Sequence, residues 1–252
     1  MGGALLRGWR ERGLAPSIVI DPAPEAASLG GEGVLVVPSA EAIPPGFRPE
    51  AVVLAVKPQA AASAVPPVRG FTGAAVALSI MAGRTLAGLG ATLPGPIVRA
   101  MPNTPSAIGR GITVACAGPG VSDRQRALCD ALLSAVGEVA WVEDEKLLDA
   151  VTAVSGSGPA YVFLLAELLE QAGREQGLPP DLARRLARAT VAGSGALLAA
   201  SGEDAAALRR AVTSPGGTTE RALALLMDPA AWPRSLSQAV GAATARSREL
   251  AG

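Results

Sequence analysis

The order of the chain predicts an α/β protein: an open, doubly wound sheet of mostly parallel strands in residues 1–144, followed by an all-helical domain in residues 145–252. Three observations carry that expectation. Six short runs rich in Val and Ile recur through the first half without polar alternation, which is how strands buried on both faces of a parallel sheet read. After about Val142 the spacing of apolar residues turns helical. Composition supplies the material for a core, with 49% hydrophobic against 17% charged residues; at only 3% aromatic, that core has to be built from Ala, Val and Leu.

Taken in order, the chain opens with MGGALLRGW, which reads as a helix start. A doubly wound domain would open with a strand and a Gly-rich turn, so a strand and turn are expected to be missing. Strand runs follow at 17–21 (SIVID), 33–38 (GVLVVP), 51–56 (AVVLAV), 74–80 (AAVALSI), 97–101 (IVRAM) and 112–117 (ITVACA). In the second half Pro159 opens a helix to about Gln176, with Leu164, Leu165, Leu168 and Leu169 on one face. Gly177 stops it and Pro179-Pro180 start the next. That second helix aligns Leu182, Leu186, Ala189, Gly193 and Leu197, and its AGSGA stretch permits close approach of another helix. Further helices are expected at 204–212, 219–227 and 233–250. Roughly a hundred residues of small apolar helices make a thin core for an independent domain, so burial against a second copy, a homodimer, is expected.

Several function classes drop out. Formal net charge is zero, with no basic patch of the kind that binds nucleic acid. Cys116 and Cys129 lack metal-ligand spacing and read as small buried residues of a reducing compartment; no metal site is expected. The first residues carry Arg7, Arg10, Glu11 and Arg12 without an apolar signal-peptide core. No uninterrupted apolar run approaches the ~20 residues of a membrane span. The expected address is cytoplasmic, with no membrane partner. The chain contains no histidine, which removes His-based triads, His-ligated metals and the commonest general acid or base.

Four segments stand out because each is a loop after a strand or before a helix, where α/β proteins place their sites. AVKPQ (55–59) follows the strongest strand and holds Lys57, one of two lysines; alone, it is equally an ordinary strand exit. RAMPNTP (99–105) brackets Asn103-Thr104 with prolines, either to hydrogen-bond a ligand amide or to stiffen a turn. SGSGPAY (155–161) leads into a helix start whose free N–H groups suit an anion; a hinge between domains is the alternative. TSPGGTT (213–219) combines Gly216-Gly217, where backbone can approach a ligand, with hydroxyls at the next helix start, although a capped Pro-Gly turn would look similar.

AVKPQ, MPNTP, SGSGPAY and TSPGGTT, in this order and at similar intervals, resemble the pyrroline-5-carboxylate reductase family, and MGGALLRGW is similar to that family's segment just after its first strand. The resemblance covers essentially the whole chain. It implies a Rossmann-like nucleotide-binding domain that takes NADPH or NADH, and a helical dimerisation domain, with dimers able to assemble to decamers. It implies hydride transfer to the C=N carbon of 1-pyrroline-5-carboxylate, giving L-proline, at a site between domains. A protonated imine is already electrophilic and its reduction yields a neutral amine, so a histidine-free enzyme can rely on positioning and electrostatics.

By the same resemblance the substrate is held by Ser214, Gly217, Thr218 and Thr219: Thr219 is the catalytic hydroxyl on the ring nitrogen, and Ser214, Gly217 and Thr218 hold the carboxylate. Ala55, Val56, Lys57 and Pro58 line the cofactor, Ile80, Met81 and Ala82 back its nicotinamide, Glu145 is the acidic residue near the site, and Asn103 is either structural or close to the nicotinamide. Gly2 aligns with the third glycine of a G-x-G-x-x-G turn whose first two are missing, so weak cofactor binding and a sheet without its central strand are expected. Asp21 ends a strand where an acidic residue accepts from a ribose 2′-hydroxyl and repels a 2′-phosphate, which favours NADH. Two rival readings remain. A β-hydroxyacid dehydrogenase would need Lys146 as its catalytic lysine, and a non-catalytic, truncated reductase would serve only as a dimeric structural protein.

Overall fold

A computed structural model describes residues 1–251. The chain divides into two compact units, Met1–Gly156 with Ala243–Gly252, and Ser157–Ala242.

The first unit is α/β, with its strands in two sheets. β1 (Ser17–Ile20) and β2 (Val34–Val37) form a parallel pair, while β3 (Ala51–Leu54), β4 (Val76–Ser79), β5 (Ile97–Met101), β6 (Gly111–Ala117) and β7 (Gly137–Val142) lie side by side in that order. All neighbours are parallel except β5 and β6. β1 and β3 belong to separate sheets. β4 is buried throughout. Its alternation sends Ala77 into a core with Leu54, Val68 and Leu93 on one face, and Val76 and Leu78 into a core with Val98, Cys129 and Leu133 on the other.

The helices of this unit are uneven. α1 (Gly2–Glu11) buries Leu5, Leu6 and Gly8; a Cβ on Gly8 would lie 2.6 Å from the Ala135 carbonyl oxygen. α4 (Asp123–Ser134) opens on a capping box of Ser122 and Gln125. Between β3 and β4 there is only α2 (Ala61–Ala64), flanked by 3-10 turns at Pro58–Ala60 and Pro66–Phe71. Pro58, Pro66 and Pro67 forbid the longer helix that a regular alternation would put there. α3 (Leu86–Gly90) and α5 (Leu147–Val151) are single short stretches. β7 was not among the expected strands. It reads GEVAWV with alternating exposure, the pattern of a sheet edge half in water.

The second unit is helical: α6 (Gly158–Glu175), α7 (Pro180–Ala200), α8 (Ala205–Ala211), α9 (Thr218–Leu226) and the first turns of α10 (Trp232–Ala251). α6 and α7 pack at Gly173, where a Cβ would sit 3.4 Å from the Ala183 Cβ. Among the described residues of this unit only Ala183 and Ala187 are buried. Nothing lies within 4 Å of where Cβ atoms on Gly193 and Gly195 would be.

The expected boundary at 144/145 and the division at 156/157 differ for a physical reason. Leu148 of α5 packs against Val114 and Cys116 of β6, and a Cβ on Gly156 would meet the Met101 Cε at 2.6 Å. The last turns of α10 also belong to the first unit, where Ser247 donates to Asp149 at 2.8 Å. The continuous helical stretch Leu147–Glu175 has mean hydropathy 1.3 and is long and apolar enough to cross a membrane by length and composition. Counting uninterrupted runs misses it because occasional polar residues break the run without lowering the average much.

Candidate functional site

In the first unit the loops expected to line a cofactor come together at the carboxyl ends of β3 and β4. A Cβ on Gly2 would lie 3.1 Å from the Ala55 Cβ, so the first turn of α1 abuts the end of β3. That turn has no side-chain cap, and the first N–H groups of a helix have no intrahelical acceptor. The third glycine of a dinucleotide turn serves this close helix–strand packing. Val56 and Pro58 are half-buried and Lys57 is exposed. Across from them Ile80 N donates to the Leu54 carbonyl at 3.1 Å, and Arg84 Nη2 donates to the Pro58 carbonyl at 2.8 Å. Ile80 and Ala82 remain half-buried, whereas the Met81 side chain is sunk in the core.

Asp21 stands at the end of β1. Its Oδ1 accepts from Ala23 N at 3.0 Å, and it borders an open cleft of about 390 Å³ with Pro22, Ala23, Gly30 and Pro38. Asn103 and Glu145 are engaged inside the unit. Asn103 Oδ1 accepts from Ile112 N at 3.0 Å, securing the loop before β6. Glu145 Oε1 accepts from Arg99 Nη1 and from Leu86 N, both at 2.8 Å. Arg99 had no expected role beyond opening the RAMPNTP segment, yet it is the one charged residue that is buried among the described residues; a charge inside a strand of otherwise apolar residues was the signal for it. Beside it, the Cys116 thiol is pushed up by burial first and by the charges of Glu145 and Glu143 next. Lys146 is exposed at the start of α5, a solvated position that gives the hydroxyacid dehydrogenase reading nothing to build on.

In the second unit Ser214, Gly217, Thr218 and Thr219 gather at the entrance to α9. Gly216 adopts φ +74°, which favours glycine, and closes the turn with Gly217 N donating to the Ser214 carbonyl at 3.0 Å. Gly217 is the N-cap, so Thr218 and Thr219 lie in the first helical turn. A Cβ on Gly217 would come within 3.0 Å of the Ser214 carbonyl oxygen. The double glycine therefore answers two different needs. Gly216 N donates to Glu220 Oε2 at 2.7 Å, a carboxylate bond at the helix entrance that the motif alone did not disclose.

A Rossmann-like unit with small-residue loops at its strand ends, followed by a helical unit, is the build of a nucleotide-dependent oxidoreductase. Relatives narrow the class. The pyrroline-5-carboxylate reductase dimerisation family matches residues 145–250. A pyrroline-5-carboxylate reductase of Pseudomonas aeruginosa is 40% identical over 100% of this chain and 93% of its own length. Among solved structures, a pyrroline-5-carboxylate reductase from Coxiella burnetii superposes with TM-score 0.91 at 30% identity, covering 100% of this chain and 95% of that one. A Plasmodium falciparum pyrroline carboxylate reductase with NADP bound gives TM-score 0.83 at 27% identity, with the same coverages. The chain belongs to the pyrroline-5-carboxylate reductase family.

Proposed function

We propose that the chain reduces 1-pyrroline-5-carboxylate to L-proline, the last step of proline biosynthesis, as a cytoplasmic homodimer whose dimers assemble further to decamers. The first unit holds NADPH or NADH and residues 145–252 hold substrate and the second copy. The observation that carries this reading is the entrance to α9. A left-handed glycine, a glycine N-cap and two threonines in the first turn present backbone N–H groups and hydroxyls together, which suits a carboxylate-bearing ring.

The residues of the first unit fit a dinucleotide. The close approach of Gly2 to Ala55 brings the uncapped start of α1 to the strand ends, as an anionic pyrophosphate requires, and the cleft beside Asp21 offers room at the next strand end. When bound, NADPH or NADH supplies a hydride. Ala55, Val56, Lys57 and Pro58 then line it, Ile80 and Ala82 form the wall behind its nicotinamide, and Met81 braces that wall from the core. The Ser214 and Thr218 hydroxyls and the Thr218 N–H bind the substrate carboxylate, and Gly217, whose own N–H closes the turn on the Ser214 carbonyl, lets the backbone approach it. The Thr219 hydroxyl hydrogen-bonds the ring nitrogen and orients the C=N bond. Asp21 sets cofactor choice: its carboxylate accepts from a ribose 2′-hydroxyl and repels a 2′-phosphate.

Bare apolar side chains on α6 and α7, among them Phe163, Leu164, Leu168 and Leu186, support a second copy as their cover. They also give the apolar stretch Leu147–Glu175 a partner other than lipid.

Steady-state oxidation of the reduced cofactor by 1-pyrroline-5-carboxylate tests the reading. Thr219→Ala is expected to lose about 10²-fold in kcat with the fold intact. A wild-type chain that forms no proline sinks it. NADH is expected to serve at least as well as NADPH; a strong NADPH preference overturns the role given to Asp21.

A further inference from the structure

The Arg99–Glu145 pair does more than the sheet requires. Arg99 lies on β5 between Ser79 of β4 and Cys116 of β6, with its side chain only 5% exposed. Burying a guanidinium in a sheet is costly unless it is paired, and an apolar side chain of similar size serves packing as well or better. Its partner is Glu145, 46 residues away, whose single oxygen Oε1 takes both Arg99 Nη1 and Leu86 N.

Leu86 N belongs to the first turn of α3, where N–H groups lack intrahelical acceptors. The side chain of the N-cap, Thr85, serves Gly88 N instead. With five residues, α3 is too short to hold its own start. Glu145 therefore fixes where α3 begins, and with it the end of the loop leading from β4.

The rest of that loop is pinned elsewhere. Ile80 N is bonded to Leu54 and Met81 is in the core. A Cβ on Gly83 would lie 3.0 Å from the Leu250 carbonyl oxygen, and Arg84 reaches the Pro58 carbonyl. Glu145 supplies the anchor at the loop's far end, and it does so with a charge held in place by a buried one.

We infer that Glu145, oriented by Arg99, is a positioning residue that sets the 80–86 loop against the cofactor, rather than a residue that touches the cofactor itself. This rests on the reading of Ile80 and Ala82 as the nicotinamide wall. Glu145→Gln keeps an acceptor for Leu86 N but loses the charge, which leaves Arg99 buried without a counter-ion. Two neutral double variants separate the pair from its cargo. Arg99→Met with Glu145→Gln keeps the Leu86 acceptor; Arg99→Met with Glu145→Leu removes it.

Binding of NADH is measured directly by its fluorescence, apart from turnover. The double variant R99M with E145Q, which keeps the Leu86 acceptor, should bind NADH about tenfold more tightly than R99M with E145L, the difference expected of one hydrogen bond to an anchoring group. The KM for pyrroline-5-carboxylate should move less than about twofold in both, since substrate contacts are untouched. Equal NADH affinity in the two double variants overturns the inference. Should R99M with E145L fail to fold, hydrogen exchange on the wild-type chain decides. A protected Leu86 amide is expected, and one that exchanges at the rate of a free amide overturns it. A wild-type chain that binds NADH but makes no proline would sink the proposed function and leave this inference standing; one that binds no NADH sinks both.

Discussion

The two units of this chain draw on the same small apolar residues and use them in opposite ways. The first buries them within itself: β4 is sealed on both faces, and Leu5, Leu78, Leu133 and Leu148 are inaccessible. The second buries only Ala183 and Ala187 among the described residues, and leaves Phe163, Leu197 and Leu225 more than half exposed. Both are well-formed secondary structure. The difference teaches that the helical unit is half of a core, with its complement on another molecule, as the dimerisation family it matches implies.

The strongest way to break this contrast is to charge the bare face. Leu164→Asp with Leu168→Asp should leave the first unit folded, yield a monomer by sedimentation velocity, and cut turnover by roughly 10²-fold or more, as loss of central interface anchors does. A dimer that survives would mean the complement lies elsewhere. Next in size is a single methyl in the first unit. Gly137 has φ +147°, and a Cβ there would sit 1.9 Å from the Gly111 carbonyl oxygen, so Gly137→Ala should cost roughly 2–4 kcal/mol in chemical denaturation.

The same methyl at Gly193 meets only open space within the chain. Gly193→Ala should therefore leave helicity intact yet weaken self-association by about tenfold, the effect of one misfitted contact at a close helix crossing. An unchanged dimer would show that the AGSGA stretch faces water. The smallest effect is a pH dependence confined to the first unit. Burial pushes the Cys129 thiol from 9.0 up to about 12. A folded-state pKa raised above the unfolded value means the stabilisation is complete below pH 9.0 and is lost as pH climbs toward 12. The wild-type denaturation midpoint should fall more steeply over that window than that of Cys129→Ala.

The fold was legible wherever burial is total. Runs such as AVALS and IVRAM have water on neither face, so residue type alone marks them. β7 escaped because GEVAWV is half-solvated, and the short connections between β3 and β4 escaped because alternation implies helices that Pro58, Pro66 and Pro67 prevent. The candidate site was legible only as motifs: the AVKPQ loop and the Ile80 loop meet at neighbouring strand ends, and TSPGGTT opens a helix. Bonding partners were not. Nothing local in the sequence says that Asn103 turns to the backbone of Ile112, or that Glu145 turns to Arg99 and Leu86. Those choices depend on which distant residues the fold brings alongside.

The narrow gap between Gly2 and Ala55 has a consequence for descent. At 3.1 Å from the Ala55 Cβ, a methyl at position 2 is accommodated only if the start of α1 or the end of β3 gives by a few tenths of an ångström. Alanine at 2 is therefore absorbed by a small backbone shift or by a smaller residue at 55.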